Sequence, residues 1–94
     1  MIVAMGTIGP TGAILQGYNI ASCSWNDTYD WYDISLEGIS YFRTSWVTVV
    51  TPAATVDCFA CYGSVSGMLT VHIFDSEGSP IQSTFSFMVL DTTP

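Results

Sequence analysis

At 94 residues the chain is one domain with room for a single modest core. Only 10% of its residues are charged while 49% are hydrophobic, against roughly 25% charged in ordinary soluble domains, so part of its surface is expected to face another protein rather than water. The net charge is −7, with Arg43 as the one residue among Lys and Arg; that leaves nothing to neutralise phosphates and disfavours both nucleic-acid binding and electrostatic docking on an anionic membrane.

Residues 1–13 read as an extended N-terminal arm. Gly6, Gly9 and Gly12 recur at every third position, with Pro10 among them. Only glycine fits the axis of a triple helix, so the repeat suits a short three-chain stalk. It equally suits a flexible Gly/Pro leader that docks extended on a partner. Either reading makes Ile8, Gly9, Pro10 and Gly12 an attachment element. The apolar run MIVAM is far too short to cross a bilayer. No basic segment precedes it, so it makes a poor signal peptide, and the chain is expected to be made in a cytosol without export by the general secretory route.

Residues 14–94 read as an all-β domain. No stretch carries helical periodicity, while β-branched and aromatic residues dominate and Gly, Pro, Asn, Asp and Ser break them into short runs. The first strand is predicted over 14–25, followed by the turn WNDTYD. The second, over 30–37, alternates Tyr32, Ile34 and Leu36 on one face with Trp31, Asp33 and Ser35 on the other. GISYFRTS is a loop. The third strand, WVTVVT, stops at Pro52, which cannot donate to a ladder. The fourth is VDCFACY. The fifth, MLTVHIF, sets Leu69, Val71 and Ile73 against Thr70, His72 and Phe74. After the turn DSEGSP, the sixth, FSFMVL, points Phe85, Phe87 and Val89 inward. Six antiparallel strands with alternating faces predict a six-stranded β-sandwich. Trp31, Trp46, Phe74 and Met88 then point away from the core and are expected to form subunit contacts.

The candidate chemistry is thin. The spacing of Cys58 and Cys61, with Cys23 and His72, could make a Cys₃His zinc site, but residues 58 and 61 of one strand face opposite ways, and buried free thiols are the expectation. Three cysteines in one chain also argue against a secreted disulfide framework. Asn26, Asp27, Asp30 and Asp33 could offer oxygens to calcium, but the spacing fits a solvated turn better. Ser64 or Ser66 with His72 and Asp75 could be drawn as a triad, yet Val65 occupies the place of the nucleophile in G-x-S-x-G. No catalytic residue, metal or cofactor is therefore expected. Aromatic side chains around the first turn, Trp25 and Tyr29 with Trp31 and Tyr32, could stack on a sugar, which makes Trp25 and Tyr29 candidate glycan contacts.

The closing third carries a resemblance. Val47, Val49 and Val50 running into Pro52, Phe74-Asp75 before a turn with Gly78 and Pro80, and Phe85-Ser86-Phe87 at the end resemble small trimeric β-sandwich modules of phage tail-fibre heads. Those modules look similar to the H-type lectin fold. The resemblance covers about residues 30–91 and implies a homotrimer attached to a virion. With no shaft of its own, the chain is expected to be a knob that decorates or cements a bacteriophage particle, clipped on through residues 1–13 and partnered by other virion proteins of capsid or tail. The alternative it implies is a tail-fibre module that recognises host glycans.

Overall fold

The computed structural model describes residues 1–93, and they form an all-β fold. Eight strands appear among them: β1 (Ile2–Ile8), β2 (Ile14–Tyr18), β3 (Ile20–Asn26), β4 (Trp31–Leu36), β5 (Val47–Pro52), β6 (Cys58–Val65), β7 (Met68–Asp75) and β8 (Phe85–Leu90). They make two four-stranded antiparallel sheets. The front sheet has the order β2-β1-β8-β5 and the back sheet β3-β4-β7-β6. Between them lie Ala4 and Ile8 of β1, Tyr32 and Ile34 of β4, Leu69, Val71 and Ile73 of β7, and Phe85, Phe87 and Val89 of β8, all buried. These are the inward sets that alternation predicts for the second, fifth and sixth strands.

Two features raise the strand count from the expected six to eight. The first is the fate of residues 1–13, which are not an arm. Ile2–Ile8 is an interior strand, hydrogen-bonded to β2 on one side and β8 on the other. Ile8 is fully buried, and Gly9 and Gly12 are buried too, with only Pro10 of the four proposed attachment residues exposed. The glycine triplet has separate local causes. A Cβ on Gly6 would come within 2.6 Å of Ile20 Cδ1 and 2.8 Å of Gln16 O, so Ile20 fills the space a side chain would take. Gly12 has φ +97°, the left-handed region that glycine enters without strain, and a Cβ there would meet the Trp25 backbone nitrogen at 2.9 Å. Between them Gly9-Pro10-Thr11-Gly12 is a tight turn: the Gly12 amide donates to Gly9 O at 3.0 Å and the Gly9 amide to Ala13 O at 2.8 Å. Proline second and a left-handed glycine fourth suit a type I turn with a bulge. The Tyr32 hydroxyl donates to Pro10 O at 2.7 Å and Gln82 Nε2 donates to it at 3.1 Å, which pins the turn to the sandwich end.

The second is a break at Asn19. The run expected as one strand over 14–25 changes sheets there, because Asn19 adopts φ 59°. Asparagine tolerates this region better than other L residues, and its Nδ2 donates to Val3 O at 3.0 Å. The chain itself thus closes the β2/β3 side of the sandwich; on the opposite side β5 and β6, joined through residues 53–57, run beside each other with a cleft between them. The remaining hairpins follow turn chemistry. Asn26 Oδ1 accepts from the amides of Thr28 and Tyr29 at 3.0 and 3.2 Å. Ser66 and Gly67, both at positive φ, make the two-residue β6–β7 turn. At the pole opposite Pro10, Met1 lies beside Asp91: the Met1 ammonium donates to Asp91 O at 3.0 Å, and the Asp91 amide donates to Met1 O at 2.8 Å.

Candidate interaction surfaces

The two outer sheet faces are built from different residues. No residue in the four strands of the front sheet is charged. Register aligns one outward residue from each strand: Tyr18 opposite Met5, Met5 opposite Met88, and Met88 opposite Val49. Tyr18, Met5 and Val49 are 50%, 42% and 49% exposed, and Met88 is half-buried between its neighbours. The row crosses the full width of the sheet. A second outward row, Gln16, Thr7, Ser86 and Thr51, runs beside it, with Thr7 and Ser86 sharing a 2.8 Å hydroxyl hydrogen bond. An open groove of about 360 Å³ lies over both rows. Farther along, Ile2, Leu90 and Val47 continue the apolar surface.

The back face is aromatic and polar. Trp31, Asp33, His72, Phe74, Phe59 and Cys61 point outward, as their pairing partners dictate. Asp33 is fixed by two donors, Trp31 Nε1 to Oδ1 at 2.8 Å and Asn26 Nδ2 to Oδ2 at 3.1 Å. Trp31 lies between Tyr29, stacked at 4.7 Å and 11°, and His72, tilted at 5.0 Å. The His72 Nε2 shares a 3.0 Å hydrogen bond with the Thr70 hydroxyl. Burial holds the His72 imidazole below its ordinary value, with the Asp33 charge opposing, so the ring is neutral at physiological pH. Phe59 and Phe74 stack at 5.3 Å across β6 and β7.

The four expected contact residues therefore do not share a seam. Trp31 and Phe74 belong to the back face and Met88 to the front face. Trp46 packs against the core and stacks on buried Tyr41 at 5.8 Å. All four are half-buried. Of the two candidate glycan contacts, Trp25 turns inward, edge-on to Tyr32 at 4.9 Å, while Tyr29 is 64% exposed. Met5, Tyr18 and Val49 were not among the expected contacts. Their alternation was readable once residues 2–8 are taken as a strand.

The cysteines separate as β geometry requires. Cys23 and Cys58 pack against the core and Cys61 faces outward. Burial, helped by the Asp33 charge, pushes the Cys23 thiol up to about 12, the behaviour of an inert structural thiol. Among the described residues no three His, Cys, Asp or Glu side chains gather as metal ligands, and no buried side-chain nitrogen or oxygen lacks a hydrogen-bond partner. No protein-family model, curated protein or solved structure matches this chain.

Proposed function

We propose that this protein is a structural subunit of a bacteriophage particle, a trimeric β-sandwich knob whose working surface is the front face. The observation that carries the reading is the row Tyr18, Met5, Met88 and Val49, apolar, solvent-facing and free of charge across four strands. In a chain of net charge −7, this is a whole sheet face that can be covered by another subunit without apposing carboxylates. Covering roughly 300 Å² of it per subunit would contribute about 7.5 kcal/mol at ~25 cal/mol per Å², before the cost of association is subtracted. The virion setting is supported by the tail-fibre resemblance of the closing strands. Attachment by a free arm is not part of the proposal, because residues 2–8 belong to the sheet. Light scattering tests the oligomer: the expected mass is three times the 10.2 kDa chain at micromolar concentration. A monomer at that concentration, together with absence of the chain from purified particles, defeats the proposal.

A second reading, recognition of host glycans, is favoured by one feature. Tyr29, exposed and stacked on Trp31, presents a ring face at the tip of the β3–β4 hairpin. Binding on a glycan array that is lost with Tyr29→Ala would favour it over a purely structural role.

A further inference from the structure

β6 differs from the other three sheet edges. β2 is five residues long, the register of β3 is broken between Ile20 and Ser22, and β5 runs out at Pro52. Short length, irregular register and proline are devices that blunt an edge. β6 has none of them. Its eight residues pair with β7 in unbroken register from Cys58–Asp75 to Val65–Met68, and CFACYGSV contains no charge and no proline. Phe59, Tyr62 and Val65 are exposed along it, and a cleft of about 430 Å³ follows its side facing β5.

We infer that β6 is a self-pairing edge: two copies join their β6 strands antiparallel about a two-fold axis at Cys61, extending the back sheet from one molecule into the next. The register follows from the residues. A two-fold axis perpendicular to the sheet pairs residues that point to the same face, so the strand centre falls on Cys61 or Tyr62. Centring on Cys61 sets Phe59 opposite the partner's Gly63 and Tyr62 opposite the partner's Ala60. Each large ring then meets a small residue, an arrangement that covers a strand glycine with an aromatic side chain. The nearest acids, Asp57 of each copy, end eight residues apart along the ribbon, about 26 Å at ~3.3 Å per residue. That exceeds the Debye length of roughly 8 Å at physiological salt, so the acidic chains can meet here without repulsion at the seam. The pairing is independent of front-face trimerisation; where both occur, it links one trimer to the next.

The two Cys61 residues fall directly opposite, at a Cα separation of roughly 4.5–5.5 Å for antiparallel pairs, within the span a disulfide bridges. The test is oxidation of the full chain with a slight excess of oxidised glutathione, read on a non-reducing denaturing gel and by peptide mass. Thiolate attack on glutathione disulfide releases reduced glutathione, and the second Cys61 thiolate displaces another, so one equivalent of oxidant is reduced per bridge. The expected product is a two-chain species joined through Cys61 alone, whatever the front faces do. The collision control is Cys61→Ser combined with Val65→Cys, which moves the thiol to an exposed position on the same face but off the axis; it should cross-link at least tenfold more slowly. Cys61→Lys, which sets two ammonium groups face to face, should shift the sedimentation midpoint of the unoxidised protein at least tenfold toward the unpaired form with unchanged circular dichroism. Equal cross-linking rates for the two thiol positions, or self-association indifferent to Cys61→Lys, would overturn the inference.

Discussion

The front and back faces of this sandwich rest on the same core but do opposite things with their outward residues. The back face satisfies itself: Asp33 holds Trp31 and Asn26, Trp31 lies between Tyr29 and His72, and Phe59 lies on Phe74. The front face offers Tyr18, Met5 and Val49 to solvent with no charged residue in its strands to solvate it. Apolar content alone does not identify a contact surface. What separates the two is whether outward side chains already have partners within the same chain.

The contrast can be broken at several points. The largest effect should come from deleting residues 1–12. This removes β1 from the middle of the front sheet and Ala4 and Ile8 from the core, so no cooperative thermal transition should remain; a folded truncation would return these residues to the status of an arm. Met5→Lys with Met88→Lys should weaken self-association at least about 100-fold, equivalent to ~2.7 kcal/mol, because two ammonium groups would have to leave water at the seam. Phe74→Lys on the back face should change it less than tenfold, and the reverse ranking in analytical ultracentrifugation would exchange the roles of the faces. In urea denaturation, Asp33→Ala should cost roughly 1–2 kcal/mol, since it strips the acceptor from Trp31 Nε1 and Asn26 Nδ2, whereas Thr7→Ala on the front face should cost about 0.5 kcal/mol or less.

Two smaller effects sharpen the back face. The folded state holds the His72 imidazole below its ordinary value of 6.5, so the unfolded chain binds a proton first as pH falls. Above about pH 7 both states are neutral at this ring. Stability should decline as pH passes below 6.5 toward the folded-state value, and His72→Gln should flatten that part of the urea-midpoint profile relative to the parent chain. Native thiol labelling at pH 8 should modify Cys61 first, with Cys23 protected until the chain unfolds, because its thiol is pushed up to about 12.

The inward halves of β4, β7 and β8 were legible from alternation, because Tyr32-Ile34-Leu36, Leu69-Val71-Ile73 and Phe85-Phe87-Val89 each bury one face and punctuate it with polar or outward residues. Two turns of the same geometry show where legibility failed. At Asp75–Ser79 the Gly78 amide donates to Asp75 O at 3.0 Å and the Asp75 amide to Ser79 O at 2.9 Å; Gly9–Ala13 repeats this pattern bond for bond. DSEGS announces a turn because Asp75 Oδ1 can accept from Glu77 and Ser79 amides. GPTGA carries the same signal in Pro10 and Gly12, but the chance three-residue spacing of Gly6, Gly9 and Gly12 suggested another structure. Gly6 has a cause no local pattern encodes, since the atom that excludes its side chain belongs to Ile20 of the other sheet. The front-face row was hidden for the same reason: Met5 gains its neighbours Tyr18 and Met88 only when residues 2–8 are a strand.

The reciprocal hydrogen bonds between Met1 and Asp91 place the start of β1 beside the end of β8 at one pole. A short glycine linker can therefore join Asp91 to Met1, and circular permutants can open the chain in the 53–57 connection, which lies outside the strands. Such a permutant would carry its new ends beside β5 and β6, turning that flank of the sandwich into a place where cargo can be fused.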